Sequence, residues 1–164
     1  MDRPRCPALE KALRLLDVSA RSGRELTRKL VDSGYSPAEA GAAVEECRRR
    51  GYVNDELLAA DSVACGLDRG AGCRRIRQKL LRRGLAPEIV EQAIEENRGR
   101  EPESARQALA AKWRSLARET DPRRKKARAF RFLTGRGFPP GLAAELIEEI
   151  NASGGEFPEQ SMEI

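Results

Sequence analysis

The sequence predicts an all-α protein: three tandem three-helix repeats of helix-turn-helix type, joined as an elongated, curved chain. Three observations predict it. Apolar residues recur at the 3.6-residue helical period through most of the 164 residues. Aromatic residues make up 4% of the chain against 40% hydrophobic overall, so the apolar positions are filled by Leu, Ala, Val and Ile, which suits thin helical layers. Finally, one pattern of punctuation occurs three times. When the chain is aligned on Gly34, Gly84 and Gly137, a leucine precedes each glycine by four residues (Leu30, Leu80, Leu133). A large apolar residue follows each at once (Tyr35, Leu85, Phe138), and a proline comes three residues on (Pro37, Pro87, Pro140). Val44, Ile94 and Ile147 share a further column. A repeat of about fifty residues exceeds the common two-helix solenoids and fits three short helices.

The elements follow in order. Leu9, Ala12, Leu13 and Leu16 give a first helix over about 8–20 its apolar stripe. Ser22 with Glu25 three residues on is a capping-box pattern, and opens a second helix carrying Leu26 and Leu30. Gly34 stops it. Ser36 and Pro37 start a third helix with Ala40, Ala43, Val44 and Cys47 inward. Gly51 ends that helix, and Asn54 or Asp55 caps the next. This fourth helix, over about 56–67, is expected to turn Leu57, Ala60, Val63 and Ala64 inward before Gly70 and Gly72 break it.

A basic helix follows, with Ile76 and Leu80 on one face, and closes at Gly84, which can take the left-handed conformation. Pro87 to Asn97 forms the next helix, with Ile89, Val90, Ala93 and Ile94 inward. Residues 98–103 are polar, contain Pro102 and read as a linker. Ala105, Ala108, Leu109 and Trp113 mark another helix, with Trp113 a core anchor. Asp121-Pro122 starts a turn or a new helix. Phe130 and Phe132 cannot both face one core from one helix. Ala143, Leu146, Ile147 and Ile150 line the last helix. The expected limits are a disordered lead over 1–7, repeats over 8–54, 55–99 and 100–150, and a disordered tail over 151–164.

Charged residues form 35% of the chain, with a formal net charge of +5. That balance leans toward a polyanion or an acidic protein face. The cysteines are Cys6, Cys47, Cys65 and Cys73; there is no CxxC pair and no histidine, which argues against a zinc site. Cys47 and Cys73 fall at apolar helical positions and read as small core residues. No secretory signal and no membrane-length apolar run is present, so a cytoplasmic protein with free thiols is expected.

The charges are sorted by element. Arg74, Arg75, Arg77, Lys79, Arg82 and Arg83 crowd the middle helix of the second repeat, with Arg75, Lys79 and Arg82 on one stripe. Arg123, Arg124, Lys125, Lys126 and Arg128 open the corresponding helix of the third. The helices that follow are acidic: Glu88, Glu91, Glu95 and Glu96, then Glu145, Glu148 and Glu149. Pairing within each repeat would account for part of this, at about 0–1 kcal/mol per exposed pair. The two basic sets are nonetheless the candidate binding residues, meeting phosphates or acidic protein. With no histidine, no phosphate-cradling glycine loop and no metal-ligand cluster, no enzyme activity and no cofactor are expected.

Gly51-Tyr52-Val53-Asn54-Asp55-Glu56 followed by Ala59, then Gly70, Gly72, Arg75-Ile76, Lys79-Leu80 and Arg83-Gly84-Leu85, resembles the central signature of the RecX family. Ala12-Leu13, Leu16, Ser22, Glu25-Leu26 and Lys29-Leu30 are similar to that family's first repeat, and Arg136-Gly137-Phe138 to its last. The pattern departs from the family's at Leu58, where an aromatic is usual, and at Arg21-Ser22, which keeps part of an arginine-rich lead. The resemblance implies a regulatory protein that binds the recombinase RecA and lies along the groove of the RecA–single-stranded DNA filament. It implies inhibition of filament growth, ATP hydrolysis and strand exchange, in recombination and DNA repair and the SOS response. A monomer, with possible direct DNA contact through the basic face and no membrane association, is the expected form. The alternative reading is a helix-turn-helix DNA-binding transcriptional regulator. A third is a helical scaffold for an unrelated protein.

Overall fold

The computed structural model describes residues 7–154 and residue 157. The helices are α1 (Pro7–Val18), α2 (Gly23–Asp32), α3 (Pro37–Arg49), α4 (Asp55–Asp68), α5 (Cys73–Arg82), α6 (Pro87–Asn97), α7 (Glu101–Ser115), α8 (Pro122–Gly135) and α9 (Pro140–Ala152). A 3-10 turn, Arg98–Arg100, leads into α7. No strand occurs among the described residues. The expected lead and tail lie mostly outside the described residues; Pro7 opens α1, and Asn151 and Ala152 close α9.

The threefold punctuation has one local cause. Gly34, Gly84 and Gly137 have φ of 95°, 81° and 93°, the left-handed region that favours glycine. At each, the N–H after the glycine donates to the carbonyl of the repeat's leucine: Tyr35 to Leu30, Leu85 to Leu80 and Phe138 to Leu133. The glycine N–H donates to the carbonyl one residue beyond that leucine, at Val31, Leu81 and Thr134. These two bonds form the Schellman helix stop, which brings the apolar residue after the glycine back against the leucine. Leu85 and Phe138 are buried, as are all three leucines. The aligned columns therefore encode a turn and its hydrophobic clasp.

Helix starts are also local. Ser22 and Ser36 each accept from the backbone N–H three residues on, and the glutamate there reaches back to the cap N–H. Asn54 accepts from Leu57 N–H at 2.8 Å, and Asp121 caps α8 through Arg123 N–H at 2.9 Å.

Two expectations are corrected. In α4 the buried stripe is Ala59, Val63 and Leu67, while Leu57 is exposed and Ala60 and Ala64 only half-buried. This helix is apolar on more than one face, so periodicity leaves its rotation open. The linker over 98–103 is helical instead: α7 starts at Glu101 with Pro102 in its first turn, where a proline removes no hydrogen bond.

The described residues divide into two compact units, one from the start of α1 to residue 62 with 78–93, the other residues 63–77 with those from 94 onward. In the first, α1, α2 and α3 enclose Ala8, Ala12, Leu26, Leu30, Ala40, Ala43, Val44, Cys47 and Val53. In the second, α7, α8 and α9 enclose Ala105, Leu109, Trp113, Leu116, Ala129, Leu133, Phe138, Ala143, Leu146, Ile147 and Ile150. Phe132 packs on that core half-buried, whereas Phe130 is exposed.

Candidate functional site

The basic residues do not all do the same thing. On α5, Ile76 and Leu80 are buried, so the helix has an inner face, and Arg74, Arg75, Lys79 and Arg82 are exposed. Arg75, Lys79 and Arg82 stand on one stripe by helical spacing. Among the described residues no carboxylate is paired with any of these four. Arg77 is half-buried and has a partner of its own. Four exposed cations on a single helix form a surface that a polyanion or an acidic protein face can neutralise.

Arg83 is different. Its guanidinium makes a two-pronged pair with Glu25, Nε to Oε1 at 3.0 Å and Nη2 to Oε2 at 2.9 Å, and also donates to the Ala20 carbonyl at 2.9 Å. Its own carbonyl accepts from Ser22 Oγ at 2.6 Å. Burial opposes the Glu25 charge, but the Arg83 hydrogen bonds, the Ser22 N–H and the nearby Arg83 and Arg21 charges outweigh it and hold the carboxyl below its ordinary value. Arg83 thus joins the turn of the second repeat to the first.

The same position in the third repeat is Arg136, and it behaves alike. Its Nη1 donates to the Gly70 carbonyl at 2.9 Å and to Arg69's at 3.0 Å, while its own carbonyl accepts from Gly72 N–H at 2.9 Å. Gly72 occupies the column of Ser22; without a side chain, its backbone approaches closely enough to bond directly. A methyl on Gly72 would collide with the backbone of Gly137 and Phe138. Where the first repeat has Glu25 the second has Arg75, so Arg136 finds no carboxylate and instead lies over the Phe132 ring, 4.7 Å from its centre.

Each junction has a second tie. Gly23 N–H at the start of α2 donates to Asp55 at 3.0 Å, and Cys73 N–H at the start of α5 donates to Glu101 at 2.7 Å. Each carboxylate is the first residue of the next repeat's first helix, so each repeat caps the middle helix before it. Glu101 is buried, as is Cys73, whose thiol is pushed up to about 12 by burial and by the Glu101 charge. Sequence reasoning missed these ties. A signal is present in the sequence: an arginine stands before the turn glycine in the second and third repeats, where the junction bonds form, but Ser33 stands there in the first.

The third repeat's cations are largely engaged. Lys126 pairs with Glu148 at 2.7 Å, Arg128 with Glu119 at 3.1 Å and Arg124 with Asp121 at 3.4 Å. Lys125 sits 4.4 Å above the Trp113 ring, a cation–π contact that folds it onto the protein. Arg123 is exposed. Among the described residues no cluster of three metal-ligating side chains occurs, and no helix is long and apolar enough to cross a membrane.

These features define a class, an all-α protein of tandem three-helix units tied by repeated arginine and carboxylate contacts, with a basic helical stripe on its surface. Comparison with known proteins narrows it. A model described as the first three-helix domain of RecX matches residues 8–47, and one described as the third matches residues 100–147. A regulatory protein RecX of Thermus thermophilus is 41% identical over 140 residues, covering 84% of this chain and 88% of that one. Its counterpart in Deinococcus radiodurans is 33% identical over 147 residues, covering 87% and 67%. The crystal structure of RecX from Lactobacillus salivarius superposes with a TM-score of 0.78 over 89% of this chain and 96% of that one; at 20% identity it shows the shared fold. The chain belongs to the RecX family, a family of regulatory proteins.

Proposed function

We propose that this protein binds the recombinase RecA and its filament on single-stranded DNA, and that it inhibits filament growth, ATP hydrolysis and strand exchange. The observation that carries the reading is the α5 stripe. Arg74, Arg75, Lys79 and Arg82 are exposed and unpaired among the described residues, whereas Lys126 and Arg128 of the third repeat are engaged by carboxylates. Family membership supplies the target. The α5 residues are the primary contact, to DNA phosphates or to acidic recombinase surface; Arg123, Arg124, Lys125, Lys126 and Arg128 are a secondary one, in which all but Arg123 must first give up internal partners. Arg77 and Arg83 support α5 and the junction. The action is steric and electrostatic, by a cytoplasmic monomer that does no covalent chemistry. Bridging neighbouring recombinase subunits blocks a second DNA strand and the subunit motion linked to ATP turnover.

The test is RecA's single-strand-stimulated ATPase with and without this protein. Changing Arg75, Lys79 and Arg82 together to Ala leaves helicity intact and weakens inhibition. Inhibition that survives the triple change removes α5 from the mechanism. If the cations meet phosphates, each lost contact lowers the salt slope of binding by about 0.7 on single strands. Inhibition well below one protein per recombinase marks capping of filament ends, and near-equal ratios mark coating of the groove. Tight sequence-dependent duplex binding without RecA would instead support a transcriptional regulator.

A further inference from the structure

The third repeat carries a groove on its surface. It lies between α8 and α9, has a volume of about 330 Å³, and is lined by Lys126, Ala127, Phe130, Arg131, Ala144 and Ile147, with Glu148 at its edge. Phe130 is 37% exposed, a large apolar group left in water on a helix whose inner face is already filled by Ala129 and Leu133.

The repeats provide an internal control. In the columns of Ala127, Phe130 and Ala144, the first repeat has Arg24, Thr27 and Gly41, and the second has Arg74, Arg77 and Glu91. The fold is therefore built twice with polar residues or glycine at these columns, and nothing in the three-helix architecture requires an apolar lining. Wall residue Ile147, by contrast, matches Val44 and Ile94, which are core in every repeat. The apolar exchange is confined to the exposed columns of one repeat, which is the mark of a docking surface.

The rim gives the occupant's charge. Glu148 is neutralised by Lys126, whose Nζ lies 2.9 and 2.7 Å from its two oxygens. Arg131 is exposed one turn after Ala127, and Arg123 is exposed one turn before it on the same line of α8. The groove thus offers an apolar slot with a positive border. We propose that it docks an acidic peptide segment of a partner protein, with one bulky apolar side chain seated against Phe130 and Ala144 and carboxylates paired with Arg131 and Arg123. Such a short segment meets the groove as an anchor-in-pocket contact with charge-assisted pairs beside it. The proposal is separate from the α5 reading: its variants leave α5 untouched, and its readout contains neither DNA nor recombinase.

The experiment is selection of random dodecamer peptides displayed on phage against the full chain. The enriched peptides are expected to carry two or more Asp or Glu around a Leu, Met, Phe or Trp. A labelled consensus peptide should bind at least about tenfold more weakly to Phe130→Glu and to Arg131→Glu, as expected for an anchor and its paired charge. Arg28→Glu, in the Arg131 column of the first repeat, should change affinity less than about twofold, because a rim charge remote from the contact matters little. All three variants alter exposed side chains, and circular dichroism verifies their helicity. The proposal is overturned by no enrichment, by enrichment of basic or uncharged peptides, or by binding that survives Phe130→Glu. It is equally overturned if removing residues 158–164 tightens binding about tenfold, which would make the chain's own end the occupant. Self-association abolished by Phe130→Glu would make the occupant a second copy, with the same consequence.

Discussion

Arg83 shows why a count of cations misleads. It stands beside Arg82 in sequence, yet Arg82 is exposed while Arg83 spans a junction between repeats. Replacing Arg83 by Ala removes three charge-assisted bonds, two to Glu25 and one to the Ala20 carbonyl, and strands Glu25 in a partly buried site, an expected loss of about 1–2 kcal/mol on urea unfolding. The pH dependence has a defined sign. Glu25 has a lowered pKa in the folded state, so its contribution is present above the ordinary carboxyl value of 4.5 and is lost as pH falls through the lowered one. Stability measured between pH 7 and pH 2 should show that loss in the parent and a smaller one in Arg83→Ala. The thiols offer a second check. Cys65 is exposed, whereas Cys47 and Cys73 are buried with their pKa values pushed up, chiefly by burial. In a Cys6→Ser background at pH 8, a disulfide reagent should modify one thiol per chain quickly, and the other two only on unfolding.

For the helices and the turns between them, the glycines make graded predictions. All three turn glycines have positive φ, so an alanine costs roughly 1–2 kcal/mol at each before any crowding. Around Gly34 nothing is within 4 Å of an added methyl. At Gly84 the methyl meets the Arg24 side chain, whose Cγ and Cδ can move although its Cβ cannot, and at Gly137 it meets the backbone and Cβ of Arg75, which are fixed. The expected order of destabilisation is therefore Gly34→Ala, then Gly84→Ala, then Gly137→Ala, read from urea midpoints by circular dichroism. Inside the turn clasp, Leu133→Ala should cost about 2–5 kcal/mol, because a fully buried leucine leaves a cavity among packed neighbours. Helices with a single apolar stripe, such as α5, were legible from spacing alone. Rotation was not legible for α4, where Leu57 and Ala59 are both apolar and only neighbours from other elements choose between them.

At the level of the assembled chain, the question is what holds tandem repeats together. One three-helix repeat buries little apolar surface by itself, so its junctions matter. Gly72→Ala puts a methyl into the backbone of the following turn without touching any hydrophobic core. It should lower the urea midpoint and, by loosening residues 136–138, raise amide exchange there, while amides of α2 and α3 keep their protection. Uniform exchange across all helices would mean that the chain unfolds as one block and that the junctions are not separable.

Some features of this protein follow from residues close together in the chain. The helices, their serine, asparagine and aspartate caps, and the thrice-repeated stop are such features, because a helix end is closed by hydrogen bonds spanning three to five residues. Other features needed the folded chain. The division of the cations into exposed Arg74, Arg75, Lys79 and Arg82, paired Lys126, and junction-bound Arg83 and Arg136 depends on partners far away in sequence. A charge's availability is set by what lies within a few ångströms of it, and for Arg83, 58 residues from its carboxylate, no local pattern supplies that distance.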